Sequence, residues 1–254
     1  MIYNKLPVAL LSLLATEDAD STNAQIASYL MEHAHEAGDL SIRGLAAACH
    51  VGTGTVSRFA RDAGFESFAE LREAFAEVGD GFERAPGGSA PDRTKCLARA
   101  VGSSLARVAK TVDHAAIERL VSDLRVYEKI GVYGLLKAQA AAFDLQVDLI
   151  SLGKLADTRV SVADQARRIG EAGPNKLIIV FSYTGTYFDA VDVEDALRRP
   201  NRPKVWMVCG DAHPLPPFVS DRVTFASDQG RLGHPYSLEF VAGLIAQEYA
   251  ATLS

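Results

Sequence analysis

Ser41-Ile42-Arg43-Gly44-Leu45-Ala46-Ala47-Ala48-Cys49-His50-Val51-Gly52-Thr53-Gly54-Thr55-Val56-Ser57-Arg58-Phe59 reads as two short helices joined by a tight turn. The first, about Ile42–Cys49, has Ser41 as its cap and carries Leu45 and Ala46 inward. The turn places Val51 in the core. The second, about Thr53–Ala63, turns Val56 and Phe59 inward and ends at Gly64, a residue suited to the left-handed position after a helix. This is helix-turn-helix spacing, which leaves the second helix free to enter a major groove. The candidate DNA-binding set is Arg43, Thr53, Thr55, Ser57, Arg58 and Arg61. Arginine reads guanine edges or phosphates, and hydroxyls suit phosphates and small base contacts. The same spacing also fits an ordinary three-helix bundle with solvated polar faces.

Outward from this stretch the pattern stays helical. Ile26, Ala27, Leu30, Met31 and Ala34 share one face of a segment near Ala24–Ala34, with Asn23 or Ser21 to cap it. Phe68, Leu71, Phe75 and Val78 do the same over about Ser67–Val78. Residues 1–80 hold five Lys/Arg against twelve Asp/Glu, a net −7, but residues 39–65 hold three Arg against two Asp, a net +1. The acids therefore sit mostly on the other helices. Phosphate attraction supplies non-specific affinity, so DNA lacking the right site should bind weakly.

Lys5 and the apolar run Leu6–Ala15 resemble a short signal peptide in composition. No small-residue cleavage site follows, and Glu17, Asp18 and Asp20 arrive at once. The expectation is an amphipathic segment packing on the helices that follow. Downstream, Gly79-Asp80-Gly81 and Ala85-Pro86-Gly87-Gly88-Ser89-Ala90-Pro91 break the pattern. They place a linker at 80–91, between an all-α domain over 1–79 and a second domain over 92–254.

The chain has 254 residues, 48% hydrophobic and 23% charged, which excludes a disordered chain, a collagen-like fibre and a disulfide scaffold. No apolar run approaches the roughly 20 residues of a spanning helix, so no membrane partner is expected. Cys49, Cys96 and Cys209 are too few and too scattered for a disulfide framework or a zinc cluster. A reducing cytoplasm is the expected setting. His33, His35, His50, His114 and His213 show no metal-ligand spacing, and His33 and His35 point apart on a helix. No metal or cofactor is expected.

The second half alternates strands and helices, the mark of crossover units and a mostly parallel sheet flanked by helices. Lys129–Gly134, Lys176–Phe181 and Lys204–Gly210 are the strands, with a weaker one at Arg222–Phe225. Lys176–Phe181 is continuously apolar and β-branched, as a strand buried on both faces should be. Helices are expected over Arg93–Lys110, Ala115–Leu124, Lys137–Leu149, Val162–Glu171, Phe188–Leu197 and Ser237–Thr252. Lone Trp206, with Phe181, Tyr183, Tyr187 and Phe188, reads as core or pocket wall. Directly after the best strand come Ser182, Thr184, Gly185, Thr186 and Tyr187. Hydroxyls and backbone N–H groups at a helix start make an anion site.

Ser41-Ile42-Arg43-Gly44-Leu45-Ala46, Thr55-Val56-Ser57-Arg58-Phe59 and Gly64-Phe65-Glu66-Ser67-Phe68-Ala69-Glu70-Leu71 together resemble the head of RpiR-type bacterial transcriptional regulators. Gly52 stands where that family usually has serine, and Gly54 where it has alanine. The family joins this head to a sugar isomerase (SIS) domain, an α/β sandwich that binds phosphorylated sugars, and residues 93–250 resemble that domain more loosely. The family's Ser-x-Ser-Gly-x-Thr pattern is matched in kind by Ser182, Thr184 and Gly185, with Tyr187 in the last place. Its Gly-x-Gly-x-Ser loop is reduced to Gly134-Leu135-Leu136-Lys137-Ala138, where Lys137 supplies charge in place of the lost serine or sits solvated. The effector-binding set is then Gly134, Lys137, Ser182, Thr184, Gly185, Thr186 and Tyr187, with Tyr187 stacking on or bonding to the ligand.

The resemblance implies a cytoplasmic regulator that is not an enzyme. Its partners would be double-stranded DNA, a phosphorylated sugar effector and further copies of itself, as a homodimer or homotetramer. One alternative is a sugar-phosphate isomerase with an accessory helical head, for which His234 and Glu239 are the candidate bases. The other is a SIS-like domain that has lost its ligand and only dimerises.

Overall fold

The computed structural model describes residues 5–16, 18, 20–34, 36–76, 83–210, 214–226 and 232–253, with the backbone alone at 5–7, 16, 76, 234 and 235. The expected sites Glu17, His35, Val78 and His213 lie outside the described residues. So do residues 77–82, including the start of the linker.

The chain divides into two compact units, Met1–Phe82 and Glu83–Ser254. The first is all-α: α1 (Lys5–Thr16), α2 (Thr22–Glu32), a 3-10 turn (Ala37–Asp39), α3 (Ile42–Ala48), α4 (Thr53–Asp62) and α5 (Phe68–Ala76). Its core gathers Leu10 from α1, Ile26 and Leu30 from α2, Leu45 from α3, Val56 and Phe59 from α4, and Leu71 and Phe75 from α5. The apolar segment near the N-terminus is thus a packed helix.

Caps fix the helix ends. Ser21 accepts from the Ala24 amide at 3.1 Å and Ser41 from Gly44 at 3.0 Å. Ser67 and Glu70 form a capping pair at α5, with Ser67 Oγ accepting from Glu70 N at 3.3 Å.

The second unit is a three-layer sandwich. Its elements are α6 (Ala90–Thr111), α7 (His114–Val126), β1 (Lys129–Gly134), α8 (Lys137–Ser151), β2 (Ala156–Asp157), α9 (Val162–Gly170), β3 (Lys176–Phe181), α10 (Tyr187–Ala190), α11 (Glu194–Leu197), β4 (Lys204–Gly210), β5 (Asp221–Phe225) and α12 (His234–Ala251). The sheet runs β2-β1-β3-β4-β5, and every pairing is parallel. Leu177, Ile179 and Phe181 of β3 face α7, α8 and α12, while Ile178 and Val180 face α9–α11. This double burial is what the continuous apolar run of β3 encodes.

Three departures from the sequence reading have physical causes. The sheet carries an extra strand, β2, whose two residues are too short to show any period. α6 begins at Ala90, inside the stretch expected as linker: Ser89 caps it and Pro91 occupies its first turn, where a missing N–H costs nothing. The helix expected over Phe188–Leu197 is two separate turns, because Val191 and Val193 are both buried. Residues two apart can point the same way only along extended chain.

Candidate nucleic-acid interface and effector site

The turn between α3 and α4 closes by backbone geometry. His50 takes φ 52°, and the Val51 amide donates to Ala46 O at 2.9 Å while His50 N donates to Ala47 O at 3.2 Å. These two bonds are a Schellman closure with histidine in the place glycine usually holds. Gly64 makes the same closure after α4, with φ 85° and a bond from Phe65 N to Ala60 O of 2.9 Å.

Between these closures α4 turns Val56, Phe59 and Ala60 into the core. Gly54, Arg58 and Arg61 are exposed, with Ser57 half-buried between them. Residues 54, 57, 58 and 61 share one helix face. Thr53 and Arg43 are also exposed, whereas Thr55 is half-buried. Ser57 Oγ donates to Thr53 O at 3.1 Å, and Arg61 Nε donates to Ser57 O at 3.3 Å. Ser57 therefore keeps acceptor capacity, and Arg61 lies along the helix with its terminal nitrogens beyond that bond. Gly52 caps α4 with no side chain, so no side chain covers the start of the helix, where helices meet phosphate, and Thr55 N donates to Gly52 O at 3.0 Å.

In the second unit the two loops singled out from the sequence are neighbours. Gly134 and Phe181, which end β1 and β3, are paired in register. The strand order reverses between these two strands, and the loops at such a switch point are the usual ligand site of an open parallel sheet. Ser182 is buried, and its carbonyl accepts from Gly185 N at 3.0 Å to close a turn with Gly185 at φ 75°. Thr184 Oγ1 and Thr186 Oγ1 are hydrogen-bonded at 2.7 Å, one hydroxyl donating to the other, so one orients the other. Lys137 is exposed at the start of α8. Leu136, before it, holds φ 53° and ψ −122°, a backbone region that glycine occupies readily and leucine does not.

Some expected roles change. Tyr187 does not face a ligand: it is 2% exposed, and its hydroxyl donates to Gln165 Oε1 at 2.7 Å inside the core. Burial drives its pKa well above the ordinary tyrosine value. α10 is a single turn, so the helix dipole expected behind Ser182–Thr186 is small. Ala138 is buried rather than part of the loop surface. Gly134 is fixed by packing, since a Cβ there would come within 2.5 Å of Ala138 O.

Of the candidate bases, His234 opens α12 but its side chain lies outside the described residues. Glu239 sits beside Asp144 of α8, two turns past the loop. Burial, then that carboxylate, push its pKa up. Among the described residues no group of His, Cys, Asp or Glu could hold a metal. None of the helices there is long and apolar enough to cross a membrane.

Gln165 was given no role by the sequence, yet it organises the β1 loop. It is fully buried on α9, and its amide donates to Gly134 O at 2.9 Å and Arg159 O at 2.8 Å. A polar residue on the inward face of an otherwise amphipathic helix was its only signal in the sequence.

The sequence profile of the helix-turn-helix domain of the rpiR family matches residues 14–78. The transcriptional regulator HexR of Pseudomonas aeruginosa is 25% identical over 188 residues, 72% of this chain and 66% of its own length. Its first unit thus resembles the helix-turn-helix head of RpiR-type regulators. Solved structures agree in fold. The Vibrio vulnificus NanR protein complexed with ManNAc-6P has a TM-score of 0.53 at 22% identity, covering 98% of this chain and 90% of that one. The sugar isomerase domain of an RpiR transcription factor from Sphaerobacter thermophilus has a TM-score of 0.51 at 18% identity, covering 63% of this chain and 90% of that one. Within the matched residues, α4 presents Gly54, Arg58 and Arg61 to solvent.

Proposed function

We propose that the protein is a DNA-binding transcriptional regulator, with α4 as its recognition helix and the β1 and β3 loops as its effector site. The observation that carries this reading is the pairing of an rpiR-family head with two loops set side by side at the switch point of a parallel sheet. The effector is a phosphorylated sugar or a related acidic metabolite. Ser182, Thr184, Thr186 and the amides around Gly185 supply its donors, with Lys137 adding charge. The relative whose structure holds ManNAc-6P supports that class of ligand. The named regulators among the relatives favour a sensor over an isomerase.

The protein acts as a homo-oligomer, because two recognition helices need a scaffold that sets half-site spacing. Phe143, Val147 and Ile150 support this. They line one exposed stripe of α8 at 57%, 46% and 49% exposure, an unusual density of apolar surface for a single helix face.

The effector reading is tested by thermal-shift screening of sugar phosphates, free sugars and acidic metabolites, since a ligand selective for the folded state raises its melting temperature. A phosphorylated sugar should stabilise the protein, and Ser182→Ala with Thr184→Ala should abolish the shift. A shift indifferent to both substitutions would place the ligand elsewhere.

A further inference from the structure

At the opposite, N-terminal edge of the sheet lies a cleft of about 280 Å³, lined by Lys129, Arg168, Glu171, Lys176 and the turn Gly173–Asn175. Its cations differ from their neighbours on that edge. Arg119 pairs with Asp221 at 2.8 Å and Lys204 with Asp123 at 2.7 Å. Among the described residues no carboxylate pairs with Lys129, Arg168 or Lys176. Glu171, also on the rim, pairs with Arg167 instead, at 3.8 Å. Arg168 Nε is buried without a hydrogen-bond partner among the described residues.

The carboxylate nearest in the chain of contacts is already engaged. The Tyr133 ring lies back along β1 over Gly131, where a Cβ would come within 2.8 Å of it. This presents the tyrosine hydroxyl to Asp157 at 2.9 Å, and Asp157 also pairs with Arg159 at 2.7 Å. Among the described residues Lys176 Nζ has a single hydrogen bond, donated to that neutral hydroxyl at 3.3 Å, and it lies 5.8 Å from the centre of the same ring. Burial holds the Lys176 ammonium below its ordinary pKa.

We propose that this cleft is a second anion site, separate from the strand-end effector site, for a small phosphate-bearing anion of the size of pyrophosphate. A guanidinium fork suits phosphate oxygens, and two ammonium groups add point charge. Half-buried charges without carboxylate partners, such as Arg168 and Lys176, carry a desolvation cost, and a multiply charged anion offsets it. The volume lies just below the usual range of ligand pockets, roughly 300–1,000 Å³, which fits a diphosphate rather than a nucleotide. Arg168 and Gln165 lie three residues apart on one face of α9. Occupancy of the cleft therefore bears on the helix that holds the Gly134 carbonyl.

Calorimetric titration of the full chain with pyrophosphate, at low and matched ionic strength, tests this. Wild type should bind saturably, close to one per chain. Arg168→Gln should weaken binding at least tenfold. Lys129→Gln, an exposed position where folding is not at stake, should weaken it several-fold. Ser182→Ala with Thr184→Ala should leave it unchanged. Three results would each overturn the site: no saturable heat in wild type, equal affinity in both cation variants, or loss of binding in the Ser182/Thr184 variant. The last would move the anion to the strand ends.

Discussion

Gly54 and Gly134 show why two glycines four score residues apart deserve opposite predictions. Gly54 sits in the first turn of α4 with nothing within 4 Å of a would-be Cβ. Alanine there should stabilise the head by up to about 1 kcal/mol through helix propensity, read as a higher urea midpoint. At Gly134 a Cβ meets Ala138 O at 2.5 Å, so Gly134→Ala should destabilise the second unit by about 1–3 kcal/mol through overpacking. The sequence marked both residues, but for Gly134 it suggested approach of a phosphate, whereas the backbone of α8 already fills the space. Of the two readings of Tyr187, core wall and ligand contact, the structure supports the first, for a related reason. Its place in a motif was visible, but the direction of its side chain was set by Gln165, 22 residues upstream, and no local pattern reports such a partner.

Among the elements, the long helices and the three long strands were legible because each carries a sustained period. β2 and the split of α10 from α11 were not, since both depend on tertiary contacts. α8 offers a test that joins sequence spacing to electrostatics. Asp144 and Asp148 stand one turn apart on it, and like charges at that spacing repel. Burial first, then Asp148, raise the Asp144 pKa. A raised carboxylate pKa means the ionised form is disfavoured in the folded protein, so stability is lost as pH rises through that pKa and regained as it falls. Asp144→Asn should therefore melt higher than wild type near neutral pH, and the difference should shrink as pH drops towards about 4, the ordinary carboxylate range. A constant difference across that range would show that the asparagine acts by packing instead.

For the whole molecule the claim is that a DNA-reading head is joined to a sensing and assembling domain. Residues 92–254 should remain oligomeric in light scattering, and Val147→Glu should reduce that fragment to monomer by placing charge in the α8 stripe. A wild-type fragment that is monomeric at micromolar concentration would move assembly to the head. Central to everything is α4. The most direct measurement is a fluorescence-anisotropy titration of DNA from upstream of the protein's own reading frame, comparing wild type with Arg58→Ala plus Arg61→Ala. Wild type should bind saturably and lose affinity steeply with salt, as counterion release requires. The double variant, still folded, should bind at least tenfold more weakly, in line with about 1–3 kcal/mol per lost base contact. Wild-type affinity in the double variant would contradict the assignment of α4 as the recognition helix.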